Sequence, residues 1–174
     1  MNKHYYFKTY GCQMNELDTE VAAGILCKMG YQNTKTENDA NVIILNTCSI
    51  RDLAERKAIN KIKQLALNKK NDQIIGVMGC MANAKKDEIL KSLPMVDFII
   101  GTNNIHDLEQ TISNVLYSKQ PQLKVEKHFY EELEYVQAKR ENKYCSYVSI
   151  IRGRNKYCTY CIVPYTRGKE VSRK

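Results

Sequence analysis

Cys12, Cys48 and Cys80 each come directly after a strand-like apolar run, at 5–10, 42–46 and 74–78. Thiolates are ligands for soft metals and for iron–sulfur clusters, so three that converge would make a site for either. Three thiolates on a four-iron cluster leave one iron without a protein ligand, open to an exogenous one. The plainer alternative is three small, buried residues at strand ends. Placement at the same point of three successive units argues against it. A zinc site is the other metal reading, with His106 completing a Cys₃His set, although a single loop histidine is more often solvated. Cys27 lies within an apolar helix pattern and reads as a core thiol. Cys145, at the start of an apolar run, reads the same way.

A second constellation stands near the C-terminus, where Cys158 and Cys161 form a Cys-x-x-Cys pair within Gly153-Arg-Asn-Lys-Tyr-Cys-Thr-Tyr-Cys161. The pair alone is compatible with zinc, redox or iron–sulfur chemistry.

Convergence of the first three thiols depends on the elements that carry them. Each run is followed by a helical pattern, and strands alternating with helices predict an α/β fold with one parallel sheet. The carboxyl ends of such strands share one sheet edge. The run 42–46 is continuously apolar, as expected of a strand covered on both faces. Asn15 with Asp18, and Ser49 with Asp52, have capping-box spacing for the helices that follow. Leu17, Val21, Ile25 and Met29 predict the buried face of the first helix, and Ala58, Ile59, Ile62, Leu65 and Ala66 that of the second. A short helix is expected over 86–93, and a fourth strand over 96–100. Asn103 or Asn104 should cap a helix with the face Ile105, Leu108, Ile112, Val115 and Leu116. The spacing predicts a domain over 1–120, a charged connector over 121–143 with a short strand at 123–125, and a fresh strand over 144–151. That strand leads into a loop and opens a further, incomplete unit over 144–174.

The 174 residues are 43% hydrophobic and 26% charged, ordinary for a soluble globular protein. No apolar run approaches the length needed to span a bilayer, and the N-terminus carries no signal-like apolar region. A cytoplasmic monomer with no membrane association is the expectation, and the seven cysteines are then reduced or metal-bound rather than paired as disulfides. The net charge of +8 is uneven. Residues 1–120 hold 15 Lys+Arg against 13 Asp+Glu, and 121–151 hold five of each, whereas 152–174 hold seven basic residues and only Glu170. With Tyr157, Tyr160 and Tyr165 among them, such a segment could meet RNA phosphates and stack on bases. A solvated loop is the alternative.

The C-terminal stretch resembles the radical S-adenosylmethionine loop, Cys-x-x-x-Cys-x-x-Cys. The chain as a whole resembles the methylthiotransferases, and among them the MiaB-like branch that modifies N6-isopentenyladenosine in tRNA. The resemblance rests on Thr9-Tyr-Gly-Cys-Gln-Met-Asn-Glu16, Asn46-Thr-Cys-Ser-Ile-Arg51 with Ala54-Glu55, Gly79-Cys-Met-Ala82, Tyr147-Val-Ser-Ile150 and Cys158-Thr-Tyr-Cys-Ile-Val-Pro-Tyr-Thr-Arg-Gly168. It implies a Rossmann-like parallel sheet flanked by helices, followed by the first strand and cluster loop of a radical barrel that goes no further in this chain. It implies an auxiliary [4Fe–4S] cluster on Cys12, Cys48 and Cys80 that presents the sulfur to be transferred. A second [4Fe–4S] cluster, binding S-adenosylmethionine, would sit on positions 154, 158 and 161. Only Cys158 and Cys161 match there, because Arg154 occupies the first position and a guanidinium cannot ligate iron. Cys145, nine residues upstream, is too far away along the expected strand to replace it. The implied partners are tRNA and S-adenosylmethionine. The implied activity is addition of a methylthio group to C2 of the base beside the anticodon, with this chain as the first part of the enzyme and inactive alone. A non-catalytic iron–sulfur or tRNA-binding module is the competing reading.

Overall fold

A computed structural model of the chain describes residues 3–50, 52–125, 138–140 and 144–173. Arg51, and most of the connector expected over 121–143, lie outside the described residues.

The first unit runs β1 (Lys3–Thr9), α1 (Gln13–Lys28), β2 (Tyr31–Asn33), β3 (Val42–Thr47), α2 (Asp52–Leu67), β4 (Ile74–Gly79), α3 (Cys80–Ala84), α4 (Lys86–Ser92), β5 (Phe98–Ile100), α5 (Leu108–Ser118) and β6 (Gln122–Lys124). The six strands form one sheet in the order β2-β1-β3-β4-β5-β6, every pair parallel. Every residue of β3 and β4 is buried, which explains their unbroken apolar sequence. Alternation divides their side chains between two cores. Ile43, Leu45, Ile75 and Val77 join Ile62 of α2 and Met81 of α3. Val42, Ile44 and Met78 join Leu26 of α1 and Ile112 of α5. Burial of each such side chain is worth about 1.5–3 kcal/mol, so packing on both faces holds the short strands in place.

Four differences from the sequence reading have local causes. The edge strand β2 is only three residues long, Tyr31–Asn33, too short for a period-2 pattern. Helix α1 buries Asn15, Asp18, Ala22, Ala23, Ile25 and Leu26, while Leu17, Val21 and Met29 are only half-buried. Small alanines let α1 lie close to the sheet, and its buried row therefore includes two polar residues. The first helix is capped by Cys12, with Asn15 at its third position, and α2 starts at Asp52, so neither Asn15 nor Ser49 is the cap. The fourth strand pairs only over Phe98–Ile100, with Val96 buried in the turn before it.

Beyond the connector, the strand expected over 144–151 is a two-residue pairing. β7 (Ile151–Arg152) lies antiparallel to β8 (Val171–Ser172), with α6 (Val163–Arg167) in the loop between them. Among the described residues no strand lies beside 144–150, and Tyr144, Tyr147, Val148 and Ile150 are exposed. An apolar run without neighbouring strands has no ladder to join. No helix among the described residues is long and apolar enough to cross a membrane.

Candidate metal centre at the carboxyl edge of the sheet

The register sets the ends of three adjacent strands level. Thr9 lies opposite Asn46, and Asn46 opposite Met78. Cys12, Cys48 and Cys80 follow this row within two or three residues. Two glycines let the turns close on one another. A Cβ on Gly11, whose φ is +138°, would stand 2.7 Å from Cys48 Cβ, so the turn after β1 rests on the turn after β3. A Cβ on Gly79, whose φ is +98°, would stand 2.4 Å from the Thr47 carbonyl oxygen and 2.5 Å from Asn46 Oδ1. Gly79→Ala combines this backbone clash with a strained φ, and is expected to lower stability by about 2 kcal/mol or more. A lower urea midpoint with unchanged slope would show it.

Two buried asparagines lock the helix start to the strand end. Asn46 Nδ2 donates to the Asn15 carbonyl at 2.7 Å and to Thr19 Oγ1 at 2.9 Å. Asn15 Nδ2 donates to Asn46 Oδ1 at 2.9 Å and to the Thr47 carbonyl at 3.0 Å. Asn15 Oδ1 is left to accept from Cys12 Sγ at 3.3 Å. Cys12 is exposed at the N-terminus of α1. Cys48 is buried, its Sγ accepting from Ile50 N at 3.4 Å. Cys80 is buried as the first residue of α3. Burial pushes the Cys80 thiol up; the Arg167 guanidinium beside it opposes that shift and Cys48 adds to it.

Among the described residues, no three His, Cys, Asp or Glu side chains stand close enough to hold one metal ion. His106, in the turn Ile105–Asp107, therefore completes no zinc set with the cysteines. A cluster makes a different demand, since it carries each thiolate on a different iron. The edge offers one exposed thiol, two buried thiols on neighbouring turns, and a buried cation beside one of them.

That cation comes from α6. Helix α6 packs against α3, and Thr102 Oγ1 donates to the Thr166 carbonyl at 2.6 Å. Arg167 Nη2 donates to Asp18 Oδ2 at 2.7 Å, with Asp18 fully buried and the Arg167 side chain 5% exposed. Burial works against the Arg167 charge, but Asp18 and Cys80 outweigh it and hold the guanidinium protonated above its usual range. Arg152 Nη2 lies 3.7 Å from Asp18 Oδ1. Arg167 Nη1, Arg152 Nε and Asp18 Oδ1 are buried without hydrogen-bond partners.

The second cysteine pair lies on the same loop as α6. Cys161 N donates to the Cys158 carbonyl at 3.0 Å, with Cys158 exposed and Cys161 half-buried. Arg154 is exposed, and its N–H donates to the Gly168 carbonyl at 3.0 Å, closing the loop. Cys145 is exposed rather than a core thiol, whereas Cys27 does pack beside the core, with its Sγ 3.6 Å from Tyr5 Oη. The sequence reading did not single out Asp18, Asn46, Thr47 or Arg167 as site residues, and took Asn15 only as a cap. A signal existed for two of them: Asn46 and Thr47 are polar residues ending an apolar strand.

The fold and site define a parallel α/β domain, covered on both faces, whose carboxyl edge carries three cysteine-bearing turns and receives a basic loop. The chain belongs to Uncharacterized protein family UPF0004, whose model matches residues 4–101. It is similar to curated relatives named tRNA-2-methylthio-N(6)-dimethylallyladenosine synthase. That of Protochlamydia amoebophila is 56% identical over 171 residues, which are 98% of this chain and 38% of the relative. That of Bacillus subtilis is 47% identical over 176 residues, 99% of this chain and 35% of the relative. That of Dictyoglomus thermophilum is 42% identical over 171 residues, 97% of this chain and 39% of the relative. The chain thus spans between about a third and two-fifths of the length of these relatives.

Proposed function

We propose that the chain is the first part of a tRNA methylthiotransferase, and that Cys12, Cys48 and Cys80 hold an auxiliary [4Fe–4S] cluster in it. The level row Thr9–Asn46–Met78, with Gly11 resting on Cys48, is the observation that carries this reading. When bound, the cluster would supply an iron free of protein ligands, on which a sulfur destined for transfer could sit. Asn15 would orient Cys12, and Arg167 would place positive charge beside Cys80.

The residues over 144–174 belong to a second unit in this reading, beginning a radical S-adenosylmethionine domain. Its cluster site does not fit the residues present: Cys158 and Cys161 supply two thiols, and Arg154 supplies a permanent cation. No step is therefore derived through that group, and the 174 residues alone are expected not to methylthiolate tRNA. Of the seven basic residues over 152–174, Arg152 and Arg167 turn inward to Asp18. Arg154, Lys156, Lys169 and Arg173 remain exposed with Tyr157, Tyr160 and Tyr165, and these would meet tRNA. Arg154 also favours a second reading, a non-catalytic iron–sulfur or tRNA-binding module.

Anaerobic reconstitution with iron and sulfide tests the first site. One cluster's worth of iron and labile sulfide is expected, lost in Cys12→Ala and kept in Cys158→Ala. Stoichiometric zinc without labile sulfide would overturn the cluster in favour of a zinc-stabilised domain. Methylthiolation of tRNA by the chain with S-adenosylmethionine and reductant would overturn the claim of inactivity.

A further inference from the structure

Arg167 links the loop of one constellation to the edge that carries the other. It ends the helix that follows Cys158 and Cys161, and its guanidinium lies between Asp18 of α1 and Cys80 at the start of α3. Its Nη2 is committed to Asp18, and its Nη1 is buried with no hydrogen-bond partner. A buried cationic N–H left unsatisfied is costly, and a charge-assisted bond to it correspondingly favourable. Ligation makes the sulfur of Cys80 anionic, whatever the state of the free thiol, and so gives Arg167 a second anionic neighbour. Two polar contacts fix α6 on the first unit, Thr102 to the Thr166 carbonyl and Arg167 to Asp18. A change in either neighbour of Arg167 therefore acts on the seating of the whole loop.

We propose that Arg167 is a positioning residue that couples the two cysteine constellations: loading of the three-cysteine edge tightens the seating of α6, and seated α6 tunes the loaded edge. The proposal rests on the reading of Cys12, Cys48 and Cys80 as cluster ligands. The coupling is reciprocal, as any coupling between two equilibria must be. A cation and N–H donor beside a ligating sulfur also stabilise the more negative, reduced form of a cluster, and so raise its reduction potential.

Amide hydrogen exchange over Val163–Arg167, measured before and after anaerobic reconstitution with iron and sulfide, tests the coupling, together with the reduction potential of the loaded chain. In the unsubstituted chain, loading is expected to slow exchange by about tenfold or more, the size of one added charge-assisted hydrogen bond. Arg167→Gln is expected to load iron and sulfide with no slowing at α6 and with a lower potential. Arg167→Lys, which restores the charge, is expected to recover part of both effects. If Arg167→Gln fails to fold because Asp18 is left buried alone, the pair Asp18→Asn with Arg167→Gln removes both charges and should load without slowing. Equal slowing in either Gln variant, or none in the unsubstituted chain once loaded, would overturn the coupling. Absence of labile sulfide from the unsubstituted chain would overturn the cluster and the coupling together, an outcome distinct from failure of the coupling alone.

Discussion

Asp18→Ala is expected to lower the stability of the chain by about 3–5 kcal/mol, the cost of leaving a buried charge without its partner. Asp18 is fully buried and the Arg167 side chain nearly so, with 2.7 Å between them. Arg152, 3.7 Å from the other carboxylate oxygen and 17% exposed, loses the same partner. Water screens none of these groups well, in contrast to the exposed pair Arg56–Asp52 on α2, where removal should cost well under about 1 kcal/mol. Urea unfolding of Asp18→Ala and Asp52→Ala side by side makes the comparison. A similar small effect for both would show that Asp18 and Arg167 do not form the buried pair described. Asp18→Asn combined with Arg167→Gln should cost less than Asp18→Ala alone, since it leaves one fewer cation buried without a counter-charge.

Arg154→Cys is expected to double the iron and labile sulfide that the chain takes up on reconstitution. Position 154 then joins Cys158 and Cys161 on one loop whose ends are already tied. The Arg154 N–H to Gly168 carbonyl bond and the β7–β8 pairing are main-chain contacts that the substitution does not touch. The Arg154 side chain is exposed, so its loss should change folding stability by no more than about 0.5 kcal/mol. An unchanged iron content would remove position 154 as the missing ligand. It would also strengthen the reading of the chain as a module with a single cluster.

The parallel sheet and the level ends of its cysteine-bearing strands were legible because one physical rule covers both. Runs over 42–46 and 74–78 are apolar at every position, and strands of that kind lie buried in parallel with their carboxyl ends together. What stayed hidden had no local signal. Asp18 falls in the same helical row as Ala22 and Leu26, and nothing in that spacing announces a buried carboxylate whose partner lies 149 residues away. Arg167 and Arg152 looked like part of a basic surface stretch, and only the docking of α6 turns them inward. The run over 144–151 had strand character in its residues, but a strand needs a neighbour. The two-residue pairing with Val171–Ser172 begins only at Ile151. Propensity proposes a strand there, and tertiary context decides.

The distance along the chain between Asp18 and Arg167 also sets an order in time. During synthesis at about 5–20 residues per second, Arg167 emerges roughly 7–30 s after Asp18. The six-stranded sheet needs nothing beyond Lys124, so its cysteine-bearing edge can form while α6 is still being made. For that interval the three turns lack the contacts that α6 later makes, Arg167 to Asp18 and the Thr166 carbonyl to Thr102, so the edge takes shape first and is braced afterwards.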